Sequence, residues 1–160
     1  HVGVFQENIV NNKSVNITIN QKAISDKPGT MDFIRVLGNT TGSHLAGAKE
    51  DPYGELETFS VETSDINAVL LNNDFVKMDI EGQEATAILS TKKDTWANVE
   101  MILEVGTEKN AKIIFEYLNE INVNMFSQKT GWNKVSDLAD VPTSYKEGSL
   151  FLSVADEMSW

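Results

Sequence analysis

The 160-residue chain contains no cysteine. That removes disulfides, thiolate metal ligands and a cysteine nucleophile together, and it fits a reducing compartment. Arginine occurs once, as Arg35, so no bidentate arginine cluster exists for a phosphate-rich ligand. Lys and Arg number 13 against 24 acids, for a formal net charge of -11. Nucleic-acid binding relies on basic side chains to displace counterions, so no nucleic-acid partner is expected. An anionic membrane surface is disfavoured on the same ground, and a neutral or cationic small molecule suits the balance better. No apolar run approaches the roughly 20 residues of a membrane span. No charged-then-apolar leader is present, and the expected location is cytoplasmic. Asn12-Lys13-Ser14, Asn16-Ile17-Thr18 and Asn39-Thr40-Thr41 match the glycosylation acceptor pattern, but without an export signal they carry little weight.

What is present is the composition of one globular domain over 1–160, at 41% hydrophobic and 23% charged. Val4–Asn12 reads as the tail of a helix with Phe5 and Ile9 on one side. Val15–Asn20 alternates apolar and polar residues and continues into Lys22–Ser25 as a strand. Residues 26–29, with Pro28 and Gly29, form a turn, and Thr30–Val36 is expected to pair back as a hairpin. Leu37–Gly54 is a long glycine-bearing loop with His44 at its middle, a candidate substrate contact because binding residues favour loops. Glu55–Thr63 alternates as a strand, and Ser64 is placed to cap a helix over Asp65–Leu71.

The most informative stretch is D-F-V-K-M-D-I-E-G-Q-E, Asp74 to Glu84. Phe75, Val76, Met78 and Ile80 supply the apolar bulk of a buried strand. Lys77, Asp79 and Glu81 alternate along one face. Gly82 stops the strand and Gln83–Ser90 reads as a helix burying Ala85, Ile88 and Leu89, with Glu84 in its first turn where the helix dipole favours an acid. Buried charges are costly unless paired or functional. The C-terminal end of a strand that feeds a helix is where open α/β sheets bind ligands.

Asp94–Asn98 is a connector anchored by Trp96. Val99–Val105 is a strand, Thr107 caps the helix Glu108–Ile121, and Val123–Gln128 is a further strand. Gly131–Ala139 is a strand or a loop, and Gly148–Val154 is a closing strand. Trp96, Trp132 and Trp160 read as packing residues. Strand, helix, strand, helix, strand over Phe75–Gln128 predicts parallel βαβ crossovers, with the last two strands as an antiparallel hairpin on one edge.

Val76-Lys77-Met78-Asp79-Ile80-Glu81-Gly82-Gln83-Glu84 closely resembles the signature of FkbM-type methyltransferases, roughly (I/V)-K-(I/M/L)-D-(I/V)-E-G-x-E. Gln21–Gly29, Val61-Glu62-Thr63-Ser64-Asp65, Ile102-Leu103-Glu104-Val105 and Gly148-Ser149-Leu150-Phe151 resemble further family segments, in order along the chain. The resemblance implies an α/β, Rossmann-like methyltransferase fold with central parallel strands, crossover helices and an antiparallel C-terminal edge. It implies S-adenosylmethionine as cofactor of the full-length protein and O-methyl transfer to a small-molecule or sugar hydroxyl. Ala23, Ile24 and Ser25 would border the adenine. Asp79 would face the methionine end of the cofactor or the acceptor, Glu81 the acceptor pocket, and Glu104 would add an acceptor contact. Asp79 or Glu81 would serve as general base. The bland alternative has Asp79 paired with Lys77 and Glu81 accepting helix N–H groups.

The family's first strand, its glycine-rich turn and its second strand have no counterpart in this sequence. The 160 residues are therefore expected to be a truncated fold, the C-terminal two-thirds of the domain, with a weak cofactor site. The edge beside Phe75–Ile80 would then need covering, by self-association or by a rearranged N-terminal segment. Two other classes remain open at this stage. One is a non-catalytic interaction module derived from a methyltransferase. The other is a Mg-dependent phosphoryl-transfer enzyme using Asp79 and Glu81, for which no phosphate loop is present.

Overall fold

The computed structural model describes residues 2–12, 16–38, 43–47 and 54–159. Strands β1 (Ala23–Ser25), β2 (Gly29–Val36), β3 (His44–Leu45) and β4 (Leu56–Asp65) form a four-stranded sheet in the order β1-β4-β2-β3. Strands β5 (Phe75–Met78), β6 (Glu100–Glu104), β7 (Asn124–Ser127), β8 (Asn133–Lys134) and β9 (Ser149–Ser153) form a five-stranded sheet in the order β5-β6-β9-β7-β8. Helices α1 (Val2–Asn11), α2 (Ile66–Leu71), α3 (Glu84–Leu89) and α4 (Glu108–Glu120) complete a mixed α/β architecture.

The parallel crossover expected from Phe75 onward is present. β5 and β6 run parallel, from Phe75↔Glu100 to Met78↔Leu103, with α3 between them in sequence. The C-terminal hairpin on the edge is not. β9 lies between β6 and β7, antiparallel to both. Leu150, Phe151 and Leu152 are consecutive and all buried, the pattern of a strand covered on both faces, as interior strands commonly are. The edge falls instead to the two-residue β8, paired with β7 and exposed throughout.

The N-terminal half departs further. The strand expected from Val15 shrinks to β1; residues 16–22 have no regular structure, with Ile17 exposed and Ile19 half-buried. β1 and β2 do not form a hairpin. β4 lies between them, parallel to β1 and antiparallel to β2 over eight residue pairs from Gly29↔Thr63 to Val36↔Leu56. That register satisfies far more backbone than a hairpin with the three-residue β1 would. His1, Lys13 to Val15, residues 39–42 and 48–53, and Trp160 lie outside the described residues, and with them two of the three acceptor-like triplets and much of the expected long loop.

Caps set the helix starts. Asp65, not Ser64, caps α2, its carboxylate accepting the Asn67 N–H at 2.8 Å. Thr107 caps α4 as expected, accepting the Asn110 N–H at 3.1 Å. Helix α3 buries Glu84, Ala85, Ala87 and Ile88, whereas Leu89 is largely exposed. The buried positions 84, 87 and 88 follow helical spacing and turn Leu89 away from the core. Ile88, Trp96, Met101, Leu103, Ile114 and Leu118 are among the core side chains, and Ile24 of β1 packs against the same cluster, so the two sheets share one core. Among the described residues no helix is long and apolar enough to cross a membrane.

Thr91 ties the layers together. Its hydroxyl donates to the Ile88 carbonyl at 2.7 Å and accepts from the buried Trp96 indole N–H at 3.1 Å. Its carbonyl accepts from the Tyr117 hydroxyl of α4. We expect Trp96→Ala to cost about 3–5 kcal/mol of stability and Trp96→Phe to cost markedly less, as read by denaturant unfolding. Equal losses in the two variants would show that the indole N–H, rather than the ring volume, holds the connector.

Candidate active site

β5 and β6 end side by side. Their last residue pair is Met78↔Leu103, so Asp79 and Glu104 leave the C-terminal ends of two adjacent parallel strands together. Along β5, Val76 and Met78 point to the core and Phe75 and Lys77 to the open face. The Lys77 ammonium reaches across both carboxylates, 3.7 Å from Asp79 Oδ2 and 3.8 Å from Glu104 Oε2. It also donates to the Met78 carbonyl at 3.3 Å. Burial raises the Glu104 carboxyl above the ordinary glutamate value, and the neighbouring Asp79 charge, a hydrogen bond with Asp79 and the Glu81 charge push the same way. Lys77 alone pulls it back. Two carboxylates thus face one ammonium, and the Glu81 charge acts on Glu104.

The turn that follows is built by a fourth carboxylate. Glu84 is 4% exposed. Its Oε1 accepts the Ile80 N–H at 3.1 Å, and its two oxygens accept the Gly82 N–H at 3.1 and 3.0 Å. A buried carboxylate is tolerable only with such partners. Glu81 has φ 56° and Gly82 φ 105°. Glycine enters that region freely, but a left-handed glutamate stores strain of order 1 kcal/mol. The Asn110 side chain of α4 donates to the Gly82 carbonyl at 3.5 Å, binding the turn to the helix that leaves β6. Glu84, which was expected only to favour the helix dipole, thus holds the turn that leads into α3.

The remaining expected residues lie elsewhere. Ala23, Ile24 and Ser25 form β1, against which α3 packs. Ser25 is buried and its hydroxyl donates to Asp26 Oδ1 at 2.9 Å. His44 does not join the carboxylates. It is buried in β3, at the outer edge of the four-stranded sheet and separated from β1 by β2 and β4. A cleft of about 510 Å³ lined by Leu70, Asn73, Asp74, Asp94 and Asn98 opens at the start of β5, the end opposite Asp79. It lies at the end of β5 away from the Asp79–Glu104 pair, so we place the chemistry at the carboxylates. Among the described residues no three His, Asp or Glu side chains converge to hold a metal ion, and the Mg reading gains no support from them.

The Methyltransferase FkbM domain matches residues 4–133. The chain belongs to the FkbM methyltransferase family. The matched span includes β5, β6 and every candidate residue above, and stops short of β9. No curated protein and no solved structure matches the chain.

Because Glu84 holds two inward backbone N–H groups, Glu84→Ala strands both. We expect a loss of about 1–3 kcal/mol and faster amide exchange at Ile80 and Gly82. Glu84→Gln keeps an acceptor oxygen and should fall between. Unchanged exchange in Glu84→Ala would show that the turn stands without the carboxylate.

Proposed function

We propose that this domain is an S-adenosylmethionine-dependent methyltransferase of Rossmann-like fold that methylates a hydroxyl of a small molecule or sugar. The observation that carries the reading is the Asp79–Glu104 carboxyl pair at the C-terminal ends of neighbouring parallel strands, beside a strained turn into a helix, in a chain of a methyltransferase family. Ligands of open α/β sheets sit at such strand ends. The order β5-β6-β9-β7, with parallel β5 and β6 joined through α3, supports the fold.

The residues present fit the cofactor on one side. Its sulfonium and ammonium are cations, and Asp79, Glu81 and Glu104 outnumber Lys77 around the place where they would sit. Ala23, Ile24 and Ser25 are small or aliphatic and suit an adenine edge. Among the described residues no glycine-rich loop accompanies them. S-adenosylmethionine would supply an electrophilic methyl group. The chain's own residues would orient the acceptor and take its proton. A hydroxyl attacking in line needs alignment more than covalent help. Asp79 is the general base of this reading, Glu104 the neighbour that steers the hydroxyl, and Glu81 a wall of the acceptor pocket.

The test is label transfer from S-adenosylmethionine to neutral hydroxyl acceptors by the protein. Asp79→Asn is expected to lower turnover by about 10²–10⁴-fold, the usual worth of a positioned base. Wild-type turnover in both Asp79→Asn and Glu104→Gln would overturn the assignment.

A second reading draws on different observations. β1 and β5 are the end strands of their sheets, no described strand pairs with the outer edge of β5, and Phe75 on that strand is 48% exposed. Of the two covers expected for this edge, a rearranged N-terminal segment does not provide one within the described residues. A non-catalytic module would use the edge for strand addition, a second copy of this chain included. Light scattering would then give twice the chain mass, and Phe75→Lys would halve it. A monomer at every concentration tested would remove this reading.

A further inference from the structure

We propose that Tyr145 is the acceptor-binding platform of this domain: a fixed strap carries its ring to the strand ends that hold Asp79 and Glu104, where it receives the C–H face of a saturated, hydroxyl-bearing ring. The inference rests on the function proposed above for the fate of the ligand, while the platform itself stands on separate geometry.

Chain direction places the strap. β9 runs antiparallel to β6, with Ser149 opposite Glu104, and antiparallel to β7, with Leu150 opposite Ser127. Residues 141–148, which lead into β9, therefore arrive at the sheet end from which Asp79 and Glu104 emerge. Tyr145 precedes Ser149 by four residue steps, which bounds their separation to about 14 Å. The single 3-10 turn Tyr145–Glu147 shortens that span further. One ligand can touch both. Side chains fix both feet of the strap. The Lys129 ammonium donates to the Val141 carbonyl at 3.4 Å and lies 3.4 Å from Glu147 Oε1. Glu147 Oε2 accepts the Thr143 N–H at 2.7 Å and its hydroxyl at 3.1 Å. Gln128 Oε1 accepts the Ser149 N–H at 3.0 Å. Gly148 has φ 100°, and a Cβ there would lie 2.5–2.8 Å from the Gln128 side chain, so the crossing is closed to other residues. Val141 and Pro142 are buried, and within the strap Tyr145 and Lys146 alone are exposed.

Tyr145 is 66% exposed. A large ring presented to water on a clamped backbone is preorganised for contact, because little freedom is left to lose on binding. The electron-rich face of a phenol attracts cations and polarised C–H groups. The Lys146 ammonium takes the cation's place over one face, 5.9 Å from the ring centroid, and the ligand uses the other. The carboxylates of Asp79 and Glu104 accept hydroxyl hydrogens, and their charge disfavours an anionic ligand. A ligand that meets both demands has an apolar C–H face and a hydroxyl edge, as a cyclic polyol does. An open-chain polyol has the hydroxyls without the face.

NMR of the Tyr145 ring protons, titrated in the protein with glucose and with sorbitol, its open-chain counterpart, reads the platform directly. Glucose is expected to shift the ring resonances and sorbitol to leave them in place. Tyr145→Ala should weaken glucose binding about 3- to 10-fold, and Tyr145→Phe should keep it. Because Tyr145 is exposed, both variants should unfold at the wild-type denaturant midpoint, which separates a lost contact from a lost fold. Glu147→Ala retains the ring and frees the strap. It should speed amide exchange at Thr143 and weaken glucose binding, and Glu147→Gln, which keeps an acceptor oxygen, should fall between. Glucose that leaves the Tyr145 ring unshifted, or that binds Tyr145→Ala as tightly as the wild type, overturns the proposal. Equal losses of glucose and sorbitol binding in Tyr145→Ala overturn the stacked ring face. Unchanged glucose binding in Glu147→Ala overturns the role of the strap. Glucose seated on Tyr145 in a protein that transfers no methyl group would overturn the methyltransferase reading and leave the platform standing. Methyl transfer to a ring hydroxyl that is indifferent to Tyr145→Ala would do the reverse.

Discussion

The carboxylate of Glu84 is the constraint on which the site depends. A strand must reverse into a helix between Met78 and Glu84, and it does so through two successive left-handed residues, Glu81 and Gly82. Such a turn aims backbone N–H groups toward the partly buried interior of the turn. Unpaired, each would cost a few kcal/mol. Glu84, itself buried, takes the N–H groups of Ile80 and Gly82, and its own burial is made tolerable by the same bonds. One charge thus fixes the path of the turn, and the path fixes the exits of Asp79 and Glu81. The Asn110 link to Gly82 extends the constraint to α4, which follows β6, so Glu104 is set relative to the same turn.

Much of this was legible in the residues, and what was not has a common cause. The alternation of Lys77, Asp79 and Glu81 marks one strand face by its period alone, and Gly82 marks the stop. The Thr107 cap and the stripe of α4 are equally local. Glu104 as a strand-end acid follows from the V-E-M-I-L-E-V run, but its contact with Lys77 depends on the register of β5 against β6, which no local pattern encodes. Glu84 was visible as a first-turn acid, while its inward direction comes from the turn and from burial under α4. His44 read as a loop residue and candidate substrate contact because a two-residue strand has no period to detect. Its burial comes from pairing with Ile34 of β2. β9 was misplaced at an edge for a different reason. Its consecutive Leu150, Phe151 and Leu152 held the clue to an interior position, outweighed by the short distance in sequence from the strand before it.

The two sheets meet the family assignment in different ways. The five-stranded sheet carries the crossover, the carboxylates and the buried clamp, and its core is dense in fully buried side chains. The four-stranded sheet is held chiefly by the long β2–β4 ladder, and Leu56 and Phe59 on β4 remain exposed. Phe59 and Phe33 lean on each other at 5.5 Å rather than on a core. What joins the halves is the packing of α3 against β1 with Ile24 in the shared core. Helix α3 therefore connects the residues assigned to the adenine edge with those assigned to the acceptor, and it begins at the residue that clamps the turn.

Exposure decides how strongly the site's charges act. Asp79 and Lys77 are each about half exposed, and Glu104 a third, so in the free chain water screens their attraction and the pair contributes little to stability. An acceptor placed over the strand ends changes this. It excludes water from the carboxyls, and the same 3.7 and 3.8 Å separations then act through a lower effective dielectric. Desolvation also raises the cost of two adjacent negative charges. The interactions that matter for recognition are therefore weak in the empty site and strong in the filled one. That makes an open carboxylate cluster in a protein of net charge -11 compatible with selecting a neutral ligand.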